Sequence, residues 1–178
     1  GELVLGVGSD EAIVFLATAL RRAPEAHERA TVVLPTPTFS MYAASARIAG
    51  LDVVSVETHA DFSLDVPAML DAIRRTEARL CFVATPNNPT GNAQTDDTLR
   101  ALVGGAPDTL IVLDEAYAAY AGRSLSTWLD RYQNVALLGT LSKIGRAGLR
   151  IGWVRARPEL AGELEKVFEP FYRLEPSR

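Results

Sequence analysis

Short apolar runs that read as buried strands alternate with segments of helical periodicity about five times along this chain, and that rhythm constrains the fold most. Leu3-Val-Leu-Gly opens as a strand. Ile13, Leu16, Ala17 and Leu20 recur at helical spacing over residues 10–22, with Ser9 placed to cap the helix start. Residues 31–34 predict a strand, 39–49 a helix closed by Gly50, 52–56 a strand and 66–75 a helix. A strand over 79–85 is halted by Pro86, and a helix over 96–103 ends at Gly104-Gly105. Strands over 109–114 and 134–140 flank a short helix over 124–131. A strand over 149–154 and a helix over 158–167, with proline at its first turn, complete the pattern.

Such alternation predicts an α/β fold: a three-layer αβα arrangement around a mostly parallel mixed sheet. Residues 140 to 149 leave no room for a crossover helix, so the last strand is expected antiparallel to its predecessor. A chain of 178 residues suits one domain that buries roughly 70% of its unfolded surface. Residues 1–157 read as the domain core and 158–178 as a helix and connector, since Phe168-Glu-Pro-Phe-Tyr-Arg-Leu-Glu-Pro is broken by proline. Both ends read as cuts through a larger protein.

A net charge of −4 with interspersed signs gives no nucleic-acid surface and no anionic-membrane anchor. No apolar run approaches the ~20 residues of a membrane span. The single cysteine, Cys81, excludes an internal disulfide and fits a reducing compartment, hence a cytoplasmic expectation. It lies mid-strand and reads as a core thiol. His27 and His59 stand alone in charged loops, so no metal-ligand cluster is expected.

In open α/β sheets ligands collect outside the carboxyl ends of the strands, and the polar residues fall there. Gly6-Val-Gly-Ser-Asp10 precedes a helix. It is either an ordinary glycine turn or an anion site at the helix start. Pro86-Asn-Asn-Pro-Thr-Gly91 is a turn whose Asn88 amide is available to a ligand oxygen if it points inward. Asp114 ends an apolar strand and needs a partner, because a buried unpaired carboxylate costs several kcal/mol. Capping the next helix would satisfy it, and so would a protonated ring nitrogen. Tyr117 lies three residues on. The chain has two lysines against sixteen arginines, so the lysine kept in Gly139-Thr-Leu-Ser-Lys-Ile-Gly-Arg-Ala-Gly-Leu-Arg150 suggests chemistry. Lysine, unlike arginine, can lose a proton and condense with an aldehyde. With Arg150 as a bidentate anion donor, these groups make up what a pyridoxal phosphate site requires.

The ordered motifs Gly-Ser-Asp-Glu (8–11), Pro-Thr-Phe-Ser-Met-Tyr (37–42), Pro-Asn-Asn-Pro-Thr-Gly (86–91), Asp-Glu-Ala-Tyr (114–117) and Thr-Leu-Ser-Lys with Ala-Gly-Leu-Arg-Ile-Gly (140–152) resemble the fold-type I, pyridoxal-phosphate-dependent aminotransferases. Within that family the histidinol-phosphate aminotransferases are most alike, and the likeness covers their large domain. The resemblance implies that Lys143 holds pyridoxal 5'-phosphate through its amine and moves the substrate proton. It implies that Asp114 pairs with the ring nitrogen, and that Tyr117 and Asn88 hydrogen-bond the phenolic oxygen. The backbone at Ser9 and Asp10, the Ser142 hydroxyl and Arg150 would bind the phosphate. Phe39, where many members carry tyrosine, would stack on the ring. The implied reaction is amino transfer between histidinol phosphate and 2-oxoglutarate in histidine biosynthesis, by a homodimer. A related aminotransferase, a threonine-phosphate decarboxylase or an aminotransferase-like regulatory domain are the alternatives. In this family the arginine for the substrate carboxylate lies in a small C-terminal domain, and a partner-subunit tyrosine completes the pocket. The resemblance therefore implies that these residues carry a cofactor site without the groups that choose the substrate.

Overall fold

The structure, a computed structural model, describes residues 2–20 and 29–172, with side chains described as far as residue 167. His27, residues 21–22 of the first expected helix and residues 173–178 of the connector lie outside the described residues. The described strands are β1 (Glu2–Val7), β2 (Thr31–Thr36), β3 (Asp52–Glu57), β4 (Leu80–Ala84), β5 (Leu110–Asp114), β6 (Val135–Thr140) and β7 (Ile151–Ala156). They form one sheet in the order β1-β7-β6-β5-β4-β2-β3. The helices are α1 (Ser9–Ala19), α2 (Ser40–Ile48), α3 (Val66–Thr76), α4 (Asp96–Gly105), α5 (Ala118–Ala121) and α6 (Pro158–Tyr172).

The five strands from β6 to β3 are parallel, and β7 is antiparallel to β6, as the short 140–149 connection requires. β1 is antiparallel to β7 in turn, so it runs in the same direction as the parallel strands. The carboxyl ends of β1, β2, β4, β5 and β6 therefore share one edge of the sheet, and β7 starts from that edge. This topology, with helices on both faces, is the three-layer mixed sheet that the alternation predicts.

β5 shows how the layers are fastened. All five of its residues are buried: Leu110 and Val112 face the core under α1, α2 and α6, while Ile111 and Leu113 face the core under α3 and α4. A strand covered on both faces needs apolar side chains at every position, which is why Leu110-Ile-Val-Leu shows no alternation. Local capping follows sequence rules. Asp65 accepts from Ala68 N–H at 3.0 Å at the head of α3, and Thr95 Oγ1 accepts from Thr98 N–H at 3.2 Å at the head of α4. Gly50, at φ 83°, closes α2 with its N–H on Arg47 C=O at 3.0 Å.

Several boundaries differ from expectation. Ser9 does not cap α1: Gly8 does, at φ 83° and ψ 168°, and Ser9 is already the first helical residue. Only glycine adopts that backbone without strain. The close seating of this turn on β7 has a second cause, since a Cβ on Gly152 would stand 2.2 Å from the Gly8 carbonyl carbon. The strand expected over 149–154 starts at Ile151, because Arg150 takes a left-handed conformation (φ 50°) after a single 3-10 turn, Ala147–Leu149. The helix expected over 124–131 is a 3-10 turn, Ser126–Asp130, and α5 forms ahead of it and ends at Gly122, φ 65°. α6 continues beyond residue 167 to Tyr172. No described helix is long and apolar enough to cross a membrane.

Candidate active site

One cavity opens at the shared carboxyl edge, and its wall includes every residue singled out above: Ser9, Asp10, Phe39, Asn88, Asp114, Tyr117, Ser142, Lys143 and Arg150. Its floor is Asp114, the last residue of β5, only 5% exposed. Asp114 Oδ1 accepts from Ala116 N–H at 2.8 Å in a local turn, and Oδ2 accepts from the Tyr42 hydroxyl at 2.6 Å. None of the ion pairs among the described residues includes Asp114. Burial pushes its carboxyl above the usual carboxylate range; the Tyr42 and Ala116 donors oppose that rise, and the negative charges of Asp10 and Glu115 add to it. Burial, then the adjacent Asp114 charge, likewise drive the Tyr42 phenol well above its ordinary value, so its hydroxyl stays a donor. Asp114 does not cap the next helix: its bond to Ala116 N–H is a local turn ahead of α5, whose N-cap is Tyr117.

The walls come from helix and turn geometry. Phe39 is the N-cap of α2 and meets Tyr42 edge-on, with centroids 5.5 Å apart. One turn of α2 therefore supplies both an aromatic wall and the donor under Asp114. The loop after β4 is fastened by Asn87, not Asn88. Asn87 Oδ1 accepts from Thr38 Oγ1 at 2.9 Å, and its Nδ2 donates to Pro37 C=O at 3.0 Å and Thr90 Oγ1 at 2.7 Å. The Asn88 side chain, by contrast, makes no hydrogen bond among the described residues and faces the cavity. Glu115 turns outward, accepting from Leu125 N–H at 2.6 Å, and so secures the next loop.

At one end of the cavity the first turn of α1 presents N–H groups without helical acceptors, where the helix dipole is positive. The Arg150 guanidinium lies over Gly8: a Cβ there would sit 3.1 Å from Nη2. Ser142 is steadied by Thr140, whose Oγ1 accepts from Ser142 N–H and donates to Ser142 Oγ, both at 3.1 Å. At the mouth, Lys143 sits in the 3-10 turn Ser142–Ile144 and is exposed. Its Nζ lies 5.6 Å from the centroid of the Tyr117 ring, and its carbonyl accepts from the Tyr120 hydroxyl at 2.7 Å. A cationic corner at a helix start, a buried acid, an aromatic wall and a lysine amine thus share one space.

Tyr42 and Gly152 are the site residues that the sequence reading missed. Tyr42 lies three residues after Phe39, a helical spacing that reads equally well as core, and only the fold shows what its hydroxyl meets. Gly152 gave a weak signal, a lone glycine inside an expected strand. Of the groups set aside, Cys81 and His59 stay outside the site. Burial pushes the Cys81 thiol up to about 12, too weakly acidic for a nucleophile, and His59 is exposed away from the cavity. No group of His, Cys, Asp or Glu among the described residues is arranged to hold a metal ion.

Residues 1–177 match the family model described as aminotransferase class I and II. The chain belongs to that family. It is 42% identical over 170 residues, 96% of this chain and 46% of the relative, to histidinol-phosphate aminotransferase 2 of Nitrosococcus oceani. Among solved structures it superposes on the histidinol-phosphate aminotransferase of Sinorhizobium meliloti, solved in complex with pyridoxal-5'-phosphate. There the TM-score is 0.81 and identity 28%, covering 92% of this chain and 44% of that one. The aspartate aminotransferase of Thermus thermophilus with maleate gives a TM-score of 0.84 at 26% identity, covering 96% and 45%. The chain spans about half the length of the relatives it matches.

Proposed function

We propose that this chain forms the cofactor-binding part of a pyridoxal 5'-phosphate-dependent aminotransferase, with histidinol phosphate as amino donor and 2-oxoglutarate as acceptor. The observation that carries the reading is Asp114: a buried carboxylate without a cation, on the floor of a cavity that holds a free lysine amine at its mouth and an arginine with a helix start at one end. A cationic ring nitrogen is the partner such an acid lacks, a phosphate suits the Arg150 corner, and an aldehyde suits Lys143. The residues present therefore fit the group.

When bound, pyridoxal phosphate supplies a cationic ring that accepts the electron pair left on an amino acid's α-carbon once its proton is removed. The remaining work falls to the chain. Asp114 would hold the proton on the ring nitrogen, its carboxylate kept charged by the Tyr42 and Ala116 donors against the rise in proton affinity that burial causes. Lys143 Nζ would hold the cofactor through its amine and, as a free amine beside the substrate, would take up and give back the α-proton. Tyr117 Oη and Asn88 Nδ2 donate to the phenolic oxygen and favour its anion. The N–H groups of Ser9 and Asp10, the Ser142 hydroxyl and the Arg150 guanidinium hold the phosphate. Phe39 covers one ring face.

The assignment of donor and acceptor draws on the relatives, which carry the name histidinol-phosphate aminotransferase at 42–43% identity. A homodimer working in the cytoplasm, with residues 1–157 as the cofactor-binding core and 158–178 as helix and connector, completes the proposal. A donor panel tests it. With 2-oxoglutarate as acceptor, kcat/KM for histidinol phosphate is expected to exceed that for aspartate, aromatic and aliphatic amino acids by at least about tenfold. Preference for another donor would overturn the substrate assignment, and carbon dioxide release from threonine phosphate would overturn transamination itself.

A further inference from the structure

We propose that Tyr42 is a positioning residue for Asp114: its hydroxyl, donating to Oδ2 from below, orients the carboxylate and keeps it the weaker base of the pair, so that the shared proton stays on the cofactor's ring nitrogen. This rests on the reading of Asp114 given above.

Three features of the geometry support it. First, Tyr42 is fully buried, yet phenylalanine would fill the same space. Its ring stacks on Phe82 at 4.8 Å and 2°, and neither that stack nor the edge contact with Phe39 uses the hydroxyl. Burying a hydroxyl costs free energy unless it is bonded, and its one bond is to Asp114 Oδ2 at 2.6 Å. Second, Ala116 N–H on Oδ1 and Tyr42 on Oδ2 give each carboxylate oxygen one internal donor. Each oxygen keeps a lone pair for a ligand, and the carboxyl plane is pinned at both ends. Third, the charged groups around Asp114 work against its anion. Asp10 at the start of α1 and Glu115 beyond β5 both raise its proton affinity, as burial does, and Tyr117 adds no positive charge. Lys143 and Arg150 are the cations that line the cavity, and neither forms an ion pair with Asp114. A donor fixed on Oδ2 is what offsets these effects, since a hydrogen bond to the charged form favours that form. Without it the proton moves from the ring nitrogen to Asp114, and the ring loses the charge that makes it an electron acceptor.

The test is Tyr42→Phe in protein loaded with pyridoxal phosphate carrying 15N at the ring nitrogen. The wild type is expected to show a protonated nitrogen near neutral pH. Y42F should move the resonance toward the unprotonated position and lower kcat about tenfold, with KM changed less than about threefold. In ligand-free protein the 13C-carboxyl titration of Asp114 should shift upward, a readout that decides the matter even if Y42F fails to load. Phe82→Leu loosens the stack but keeps the hydroxyl; it should lower the melting temperature and leave the nitrogen resonance in place. A Y42F protein whose nitrogen resonance and Asp114 titration coincide with the wild type would overturn the proposal, as would an F82L protein that moves the resonance equally far. If instead the wild-type nitrogen is insensitive to Asp114→Asn, the underlying assignment of Asp114 fails, an outcome separate from either of these.

Discussion

The floor and the mouth of the cavity are built on opposite terms. Asp114 ends a strand buried on both faces, with each oxygen held by a donor from a different element. Lys143 rides an exposed 3-10 turn, tied through its backbone to Tyr120 and through its amine only to the face of Tyr117. The fold alone sets the floor, at the cost of a desolvated acid. The mouth stays loose enough for an amine to be displaced and to return. A lysine fixed as firmly as Asp114 would be a poor proton carrier, and an acid as exposed as Lys143 would not hold a ring proton against water.

The largest expected effect separates the two regions. Lys143→Ala should abolish covalent attachment and lower turnover by at least about a thousandfold, while changing unfolding free energy by no more than about 0.5 kcal/mol. Steady-state kinetics and chemical denaturation check both halves, and a strongly destabilised K143A would erase the contrast. Asp114→Asn should lower kcat roughly a hundredfold. Its effect on the ligand-free protein has the opposite sense. The folded-state pKa of Asp114 is raised, so its contribution to stability is fully present below the ordinary carboxylate range and is lost as pH rises from there through the raised value. D114N should lack that loss, which melting curves across the acid range would show.

Gly152→Ala probes the corner between the two regions. Its new Cβ would meet the Gly8 carbonyl carbon and Ser9 nitrogen at 2.2 and 2.4 Å, so α1 must shift. A loss of about 1–3 kcal/mol in denaturation and weaker cofactor affinity are expected. The smallest effect belongs to Tyr120→Phe, which removes the hydroxyl bonded to the Lys143 carbonyl. That residue is 73% exposed, so a few-fold fall in kcat and a stability change within about 1 kcal/mol are expected. An unchanged kcat in Y120F would show that the mouth needs no brace.

The same contrast explains what could be read from sequence. The nine candidate residues all line the cavity, because they end or follow strands whose carboxyl ends a parallel sheet must bring together, with Arg150 just ahead of the antiparallel β7. The antiparallel β7 was legible from the short 140–149 connection. Its pairing with β1 was not, since nothing local in Leu3-Val-Leu-Gly names a partner 150 residues away. Ser9 was misplaced by one residue because the cap depends on a backbone conformation that Gly8 permits and Gly152 makes room for, a pairing across the chain. Tyr42 escaped for a related reason. On a helix its hydroxyl is indistinguishable from core until β4 and β5 bring Phe82 and Asp114 against it.

The central claim is that Lys143 is the attachment point at the mouth of a site whose floor is Asp114. Borohydride reduction of the protein loaded with pyridoxal phosphate, followed by peptide mapping, tests it most directly. The expected result is a single stable label on Lys143. A label on Lys166, whose Nζ is paired with Glu163 at 2.6 Å on the exposed face of α6, or no label on Lys143, would contradict it.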